Sequence, residues 1–192
     1  MAGSLRYTVV LDACVLYPAP LRDLLLSLAA AGIFRGRWSR MIHDEWTRNL
    51  LQDRPELGKE ALDKTVELMN AAVDDCLVEN FDYLIDSLNL PDKNDRHVLA
   101  AAIVGHADAI VSFNLKDFPE ESLKMHGVEI LHPDDFLVAQ YGLNSVGFLT
   151  IVKQLRQRLK NPPKSAEELI ATCRAQSLPQ LASLLEVAVD LI

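Results

Sequence analysis

Tyr7-Thr8-Val9-Val10-Leu11-Asp12 is the stretch whose reading decides the fold. It is short, β-branched and free of polar alternation, the pattern of a strand covered on both faces in a parallel sheet. Ala109-Ile110-Val111-Ser112-Phe113 and Val128-Glu129-Ile130-Leu131 read the same way. Helical patterns separate these runs. Pro18 and Pro20 open one through 21–28, ended by Gly32. Ser39 caps a second that reaches about Arg54, where Pro55 follows. Residues 56–73 predict a third, with Leu62, Val66, Met69 and Val73 along one side. Cys76-Leu77-Val78 fits a short strand, and 81–90 fits no single pattern. Asp92 or Asn94 caps a helix to Gly105, and Pro133-Asp134-Asp135 starts another to Tyr141. Strands alternating with helices call for an α/β fold, a parallel sheet with right-handed crossovers.

Gly142-Leu143-Asn144 reads as a break. Beyond it only helical patterns follow, over 146–159, 166–175 and 178–191, with Pro162-Pro163 between the first two. The expected organisation is an α/β region over 5–142 and an all-α C-terminal appendage over 145–192. With 192 residues, 49% hydrophobic and 24% charged, the chain is long and apolar enough to bury a full core. No apolar run approaches the ~20 residues that span a bilayer, so no membrane is expected. Met1-Ala2-Gly3-Ser4-Leu5-Arg6 leads straight into a strand, which does not resemble a secretory signal. Cys14, Cys76 and Cys173 are few, far apart and odd in number. That excludes a disulfide framework and a Cys₄ zinc site, and suits a cytoplasmic protein. The net charge of −8 argues against a protein that coats nucleic acid. It is uneven: residues 145–192 carry +2 and the first 144 carry −10.

Four acidic residues stand at the edges of apolar segments. Asp12 closes the first strand, at the edge where open parallel sheets bind ligands. Ile42, Glu45, Trp46, Asn49 and Leu50 follow helical spacing, which places Glu45 and Asn49 among core-facing residues. An unpaired carboxylate is unfavourable there, unless it reaches water or pairs with Arg48. Asp95 shares a helix face with Val98, Leu99 and Ala102, and a carboxylate in a first helical turn also suits the macrodipole. Asp117 follows Ser112-Phe113-Asn114-Leu115-Lys116 after the second run. Ser112 and Asn114 are placed to hydrogen-bond an acidic cluster. Asp12, Asp95 and Asp117 each alone fit an ordinary cap or turn, and Glu45 alone fits the margin of its stripe. Together they make an oxygen-rich site of the kind that takes Mg²⁺ or Mn²⁺. His43, His97, His106, His126 and His132 show no zinc spacing and read as structural or exposed. A dehalogenase-type phosphotransferase also starts with a strand ending in Asp, but needs a second acid two residues on, where Cys14 stands.

At these residues the chain resembles the PIN-domain ribonucleases, in particular the VapC-like toxins of type II toxin–antitoxin pairs. Val9-Val10-Leu11-Asp12-Ala13-Cys14-Val15-Leu16 is similar to the family's first motif, and Glu45 to its second acidic position. The most specific stretch is Asp92-Lys93-Asn94-Asp95-Arg96-His97-Val98-Leu99-Ala100-Ala101-Ala102. Ala107-Asp108-Ala109-Ile110-Val111-Ser112-Phe113-Asn114-Leu115-Lys116-Asp117-Phe118 resembles the fourth. Two departures stand out: Asn114 where many members have an aspartate, and Cys14 where many have a polar residue. The resemblance covers roughly 5–140.

It implies a PIN-like sheet and metal-dependent endonucleolytic cleavage of RNA by Asp12, Glu45, Asp95 and Asp117. Asp12, Asp95 and Asp117 would ligate Mg²⁺ or Mn²⁺, with Glu45 bound directly or through water, and Ser112 and Asn114 behind them. Phosphate contacts are expected from Arg40, Arg48 and Arg96, with Arg35 and Arg37 beside them. An antitoxin protein and a homodimer are the expected protein partners. Leu24, Leu25 and Leu28 would either receive an antitoxin helix or form a core stripe. Lys153, Arg156, Arg158 and Lys160 form a basic face that reads most simply as solvated. The rival reading is a PIN-like module without catalysis that binds RNA or protein.

Overall fold

Strand β1 (Thr8–Leu11) is the spine of the computed structural model, which describes residues 7–192, and Val9, Val10 and Leu11 are wholly buried. Residues 5 and 6, the start of the expected α/β region, lie outside the described residues. Three more strands complete the sheet in the order β2 (Arg35–Arg37), β1, β3 (Ala109–Val111), β4 (Glu129–Leu131). All pairings are parallel, with Val9 beside both Gly36 and Ala109, and Ile110 beside Ile130. The order reverses direction at β1, so the switch point lies between the carboxyl ends of β1 and β3.

Strand β2 is an addition to the sequence reading. Arg-Gly-Arg has no strand signature, and its pairing with β1 and its charges define it instead. Arg35 and Arg37 both bind Asp75, a charged finish suited to an edge strand. At Gly36 a Cβ would come 3.3 Å from Ala29 Cβ and from Phe34 Cε2, so a bare backbone lets the edge approach the helix layer.

Helix α1 (Ala13–Leu16) and α2 (Ala19–Ala30) follow β1. Ser39 caps α3 (Arg40–Asp53) by accepting the Ile42 N–H at 3.2 Å. The expected helix over 56–73 is shorter. A 3₁₀ turn at Pro55–Leu57 and Gly58, at φ 72°, interrupt the chain before α4 (Lys59–Ala72). Leu77 makes only an isolated bridge to Trp38 instead of a strand. The segment 81–90 contains one turn, α5 (Asp82–Ile85). Asp92 accepts the Asn94 N–H and caps a 3₁₀ turn, after which α6 (Arg96–Val104) packs its alanines on the sheet. Helix α7 (Glu120–Lys124) leads to β4 and α8 (Pro133–Leu143).

The expected break shrinks to Asn144, which caps α9 (Ser145–Arg158) after a bend of 119°. Helices α10 (Ala166–Ala175) and α11 (Pro179–Val187) complete the tail. The tail and the sheet layer share one hydrophobic cluster. Leu21 and Leu24 of α2 meet Val152, Leu155, Leu169 and Leu185 around a small apolar void. Leu24, Leu25 and Leu28 are buried in this cluster, so they form a core stripe and no surface groove. Asp134, 1% exposed, accepts the backbone N–H groups of Gln180 and Leu181 at 2.8 and 2.9 Å and so caps α11 from α8. Among the described residues no single helix is long and apolar enough to cross a membrane.

Candidate metal centre

The switch point between β1 and β3 is where the first carboxylate sits. Asp12, only 3% exposed, caps α1, with Oδ1 accepting the Ala13 N–H at 2.6 Å. Its Oδ2 accepts from Ser112 Oγ at 2.6 Å and from Cys14 Sγ at 3.1 Å. Burial pushes the Asp12 carboxyl above its ordinary value; Ser112, Cys14 and Ala13 oppose that, and Glu45 adds to it. A carboxylate offers about four lone-pair sites, and three are taken here. Ser112 Oγ also accepts the Asn114 N–H at 2.9 Å, tying the end of β3 to the same carboxylate. Cys14 stands within this arrangement, because its Sγ accepts the Phe113 N–H at 3.3 Å. Burial pushes the Cys14 thiol up to about 12, which keeps it a donor to Asp12.

Near this end of the sheet opens a cleft of about 650 Å³ whose lining includes Glu45, Arg48, Asp92, Lys93, Asp95, His97, Asn114 and Asp117. Three of the four sequence-predicted acids therefore line one cleft, and the fourth, Asp12, is buried close enough to interact with Asp95 and Glu45. Half-buried Asp95 registers their proximity. Desolvation and the charges of Asp12, Asp92, Asp117 and Glu45 push its carboxyl up to about 7. Glu45 enters from α3, and its Oε2 lies 3.2 Å from His97 Nε2. His97 is buried, and its Nδ1 has no hydrogen-bond partner among the described residues. The sequence reading made His97 structural or exposed; nothing local pairs positions 45 and 97, which only the docking of α6 on α3 brings together.

Helix α3 is braced from behind. Trp46 Nε1 donates to His43 Nδ1 at 3.0 Å, which leaves the proton on Nε2, 3.1 Å from Asn70 Oδ1. Trp38 Nε1 donates to the same Asn70 oxygen at 2.8 Å. The Arg22 guanidinium lies 4.7 Å from the Trp46 ring centroid and donates to the Leu16 carbonyl at 2.7 Å. Burial lowers the His43 pKa, consistent with its neutral role.

The arginines divide. Arg48 lines the acidic cleft, whereas Arg40 lines a separate groove between α3 and α4 that Arg48 also reaches. Arg96 lines neither, and its Nε is buried without a hydrogen-bond partner among the described residues. Arg35 and Arg37 belong to the β2 edge and are paired with Asp75. Lys93 is a cation of the acidic cleft that sequence reasoning passed over. Asn49 is exposed, not core-facing, because the buried stripe of α3 runs through Ile42, His43 and Trp46.

The donors suit a hard divalent cation: all are oxygens, and one is deeply buried with a lone pair to spare. Among the described residues no three His, Cys, Asp or Glu side chains close into a ligand set. Mg²⁺ keeps several waters and takes one or two carboxylates, so an open acidic cleft fits it better than a closed cage would.

Residues 133–187 match the VapC50 C-terminal domain family. Over 89 residues the chain is 38% identical to a protein described as "Putative ribonuclease VapC50" from Mycobacterium tuberculosis (strain ATCC 25618 / H37Rv). That match covers 46% of this chain and 52% of the relative, so the chain spans about half the length of the curated protein it matches. No solved structure matches. Residues 8–116, from β1 through the cleft to Lys116, match the PIN domain, and this chain belongs to that family.

Proposed function

We propose that this chain is a Mg²⁺- or Mn²⁺-dependent endoribonuclease and the toxin of a toxin–antitoxin pair. The observation that carries the reading is the gathering of Glu45, Asp95 and Asp117 around one cleft of a PIN fold, with buried Asp12 close enough to raise the Asp95 carboxyl. Such repulsion is tolerated where a cation relieves it. Asp12, Asp95 and Asp117 would hold the ion, with Glu45 beside it. When bound, the ion acidifies water and offsets charge on the phosphate oxygens.

The chain's own groups supply the rest. Ala13, Ser112 and Cys14 fix the Asp12 carboxylate. His97 holds Glu45 through Oε2 and leaves Oε1 open to accept a proton from the attacking water. Asp95 must lose its proton before it can ligate. Arg48 and Lys93 sit where RNA phosphates would pass, and offset the acidic walls.

The test is cleavage of RNA by purified protein with Mn²⁺, with EDTA, and in Asp12→Asn and Asp95→Asn. Cleavage that survives EDTA, or is unchanged in either variant, sinks the proposal. Asn114 in place of an acid favours one rival, a PIN-like binding module. Metal-independent RNA binding without cleavage would establish that rival. The toxin role is tested separately: expression should arrest growth, and co-expression of a small neighbouring gene should relieve it.

A further inference from the structure

Beside the acidic cleft lies a second one of about 430 Å³, lined by Ala13, Cys14, Tyr17, Asn49, Gln52 and Asp53. The two share Glu45 and Asn114, so they form adjoining stations along one path. Helix α3 builds the second from one face, where Glu45, Asn49, Gln52 and Asp53 follow the i, i+4, i+7, i+8 rows. The amides of Asn49, Gln52 and Asn114 are exposed and make no hydrogen bond with the protein among the described residues. Each offers both donors and an acceptor. Tyr17 supplies a partly exposed aromatic ring, and its hydroxyl donates to Asp53 Oδ2 at 2.6 Å, which fixes the ring. This chemistry differs from that of the acidic cleft: three uncommitted amides and a restrained ring, within reach of the same carboxylates.

We propose that this second cleft is a nucleobase subsite that reads one unpaired base next to the cleaved bond; the proposal rests on the ribonuclease reading above. Unpaired RNA bases are held by stacking on aromatic rings and by hydrogen bonds to their edges. Asn and Gln match the donor–acceptor edge of adenine, and carboxylates accept from exocyclic amines. Asp53 only accepts, so it repels the carbonyl edge of uracil. The subsite therefore favours a base with an exocyclic amino group over uracil.

The experiment uses the full chain with Mn²⁺ and single-stranded oligoribonucleotides in which one position at a time carries each base or none. Wild type should show one position beside the cleaved bond where amino-bearing bases beat uracil by about tenfold, and where an abasic residue costs as much. Asn49→Ala and Gln52→Ala, both at exposed positions, should flatten that preference to about twofold while cleavage elsewhere along the strand keeps its pattern. Tyr17→Ala should raise KM about tenfold with a smaller change in kcat. Circular dichroism of each variant separates these effects from misfolding. Cleavage with no base preference at any position, or a preference unaltered in all three variants, overturns the subsite. Absence of cleavage by wild type overturns the ribonuclease reading, and the subsite with it.

Discussion

Asp12 and Asp95 are two carboxylates in opposite states of support. Asp12 is held by three donors, and Ser112 is the closest side chain among them, at 2.6 Å. Ser112→Ala should lower Mn²⁺ affinity about 10–100-fold, the usual cost of removing a partner behind a ligand; titration calorimetry that finds wild-type affinity would contradict this. Among the described residues no donor offsets the neighbours of Asp95, and its carboxyl rises from 3.8 to about 7. A raised folded-state value means the native protein holds the proton more tightly than the unfolded chain. Stability is therefore lost as pH climbs from about 4 to about 7 and stays reduced above that. Without metal, Asp95→Asn should raise unfolding stability at about pH 8 by roughly 1–2 kcal/mol, a figure already discounted for screening at a half-buried site. It should have little effect at about pH 4. Mn²⁺ should raise the melting temperature of wild type but not of the variant. Equal melts for both proteins with EDTA at about pH 8 would refute the account. Asp12, Asp95 and Asp117 are legible in the sequence because each lies where an apolar run meets a turn, and Glu45 because it interrupts the helical stripe of Ile42, Trp46 and Leu50. The Glu45–His97 contact is not, since it joins positions 52 apart through two helices that dock only in the fold.

Among the elements, α3 has to hold Glu45 at the cleft while one flank faces solvent. Its buried side answers with polar contacts, as Asn70 of α4 receives both Trp38 Nε1 and His43 Nε2 through one oxygen. Asn70→Ala leaves two donors of this network unsatisfied and should cost about 2–3 kcal/mol in urea unfolding. Activity should fall further than the loss of folded protein explains, because α3 carries Glu45. A variant as stable as wild type would show that the brace is dispensable. This brace was invisible in the sequence, where Asn70 is one more polar residue in an amphipathic helix. The strands show the same division. β1, β3 and β4 were readable as apolar runs. β2 was not, because Arg-Gly-Arg holds its place through pairing with β1 and the Asp75 ion pairs, which are properties of the fold. In the helices, Gly58 with positive φ is the local reason why 56–73 is not one element.

For the molecule as a whole, the decisive question is whether the helical tail unfolds with the sheet or apart from it. The break at Gly142-Leu143-Asn144 reads in the sequence as the start of an appendage, and in the fold α2 packs on α9 and α10, and α11 on α8. Their side chains belong to one hydrophobic cluster, so separating them would expose Leu21, Leu24, Leu155, Leu169 and Leu185 together. Asp134 adds a polar clamp that reaches from α8 to the first N–H groups of α11 and is almost wholly buried. Both tryptophans, Trp38 and Trp46, lie on the sheet side, so their fluorescence reports that part, whereas far-UV circular dichroism also weighs the tail helices. The two signals should coincide through a urea titration, as one cooperative unit requires. Asp134→Ala removes the acceptor of one buried and one partly buried N–H group and should shift both signals together by about 1–3 kcal/mol. If the dichroism instead fell first while the tryptophan signal held, the tail would be a separate folding unit, and the shared core too weak to bind it.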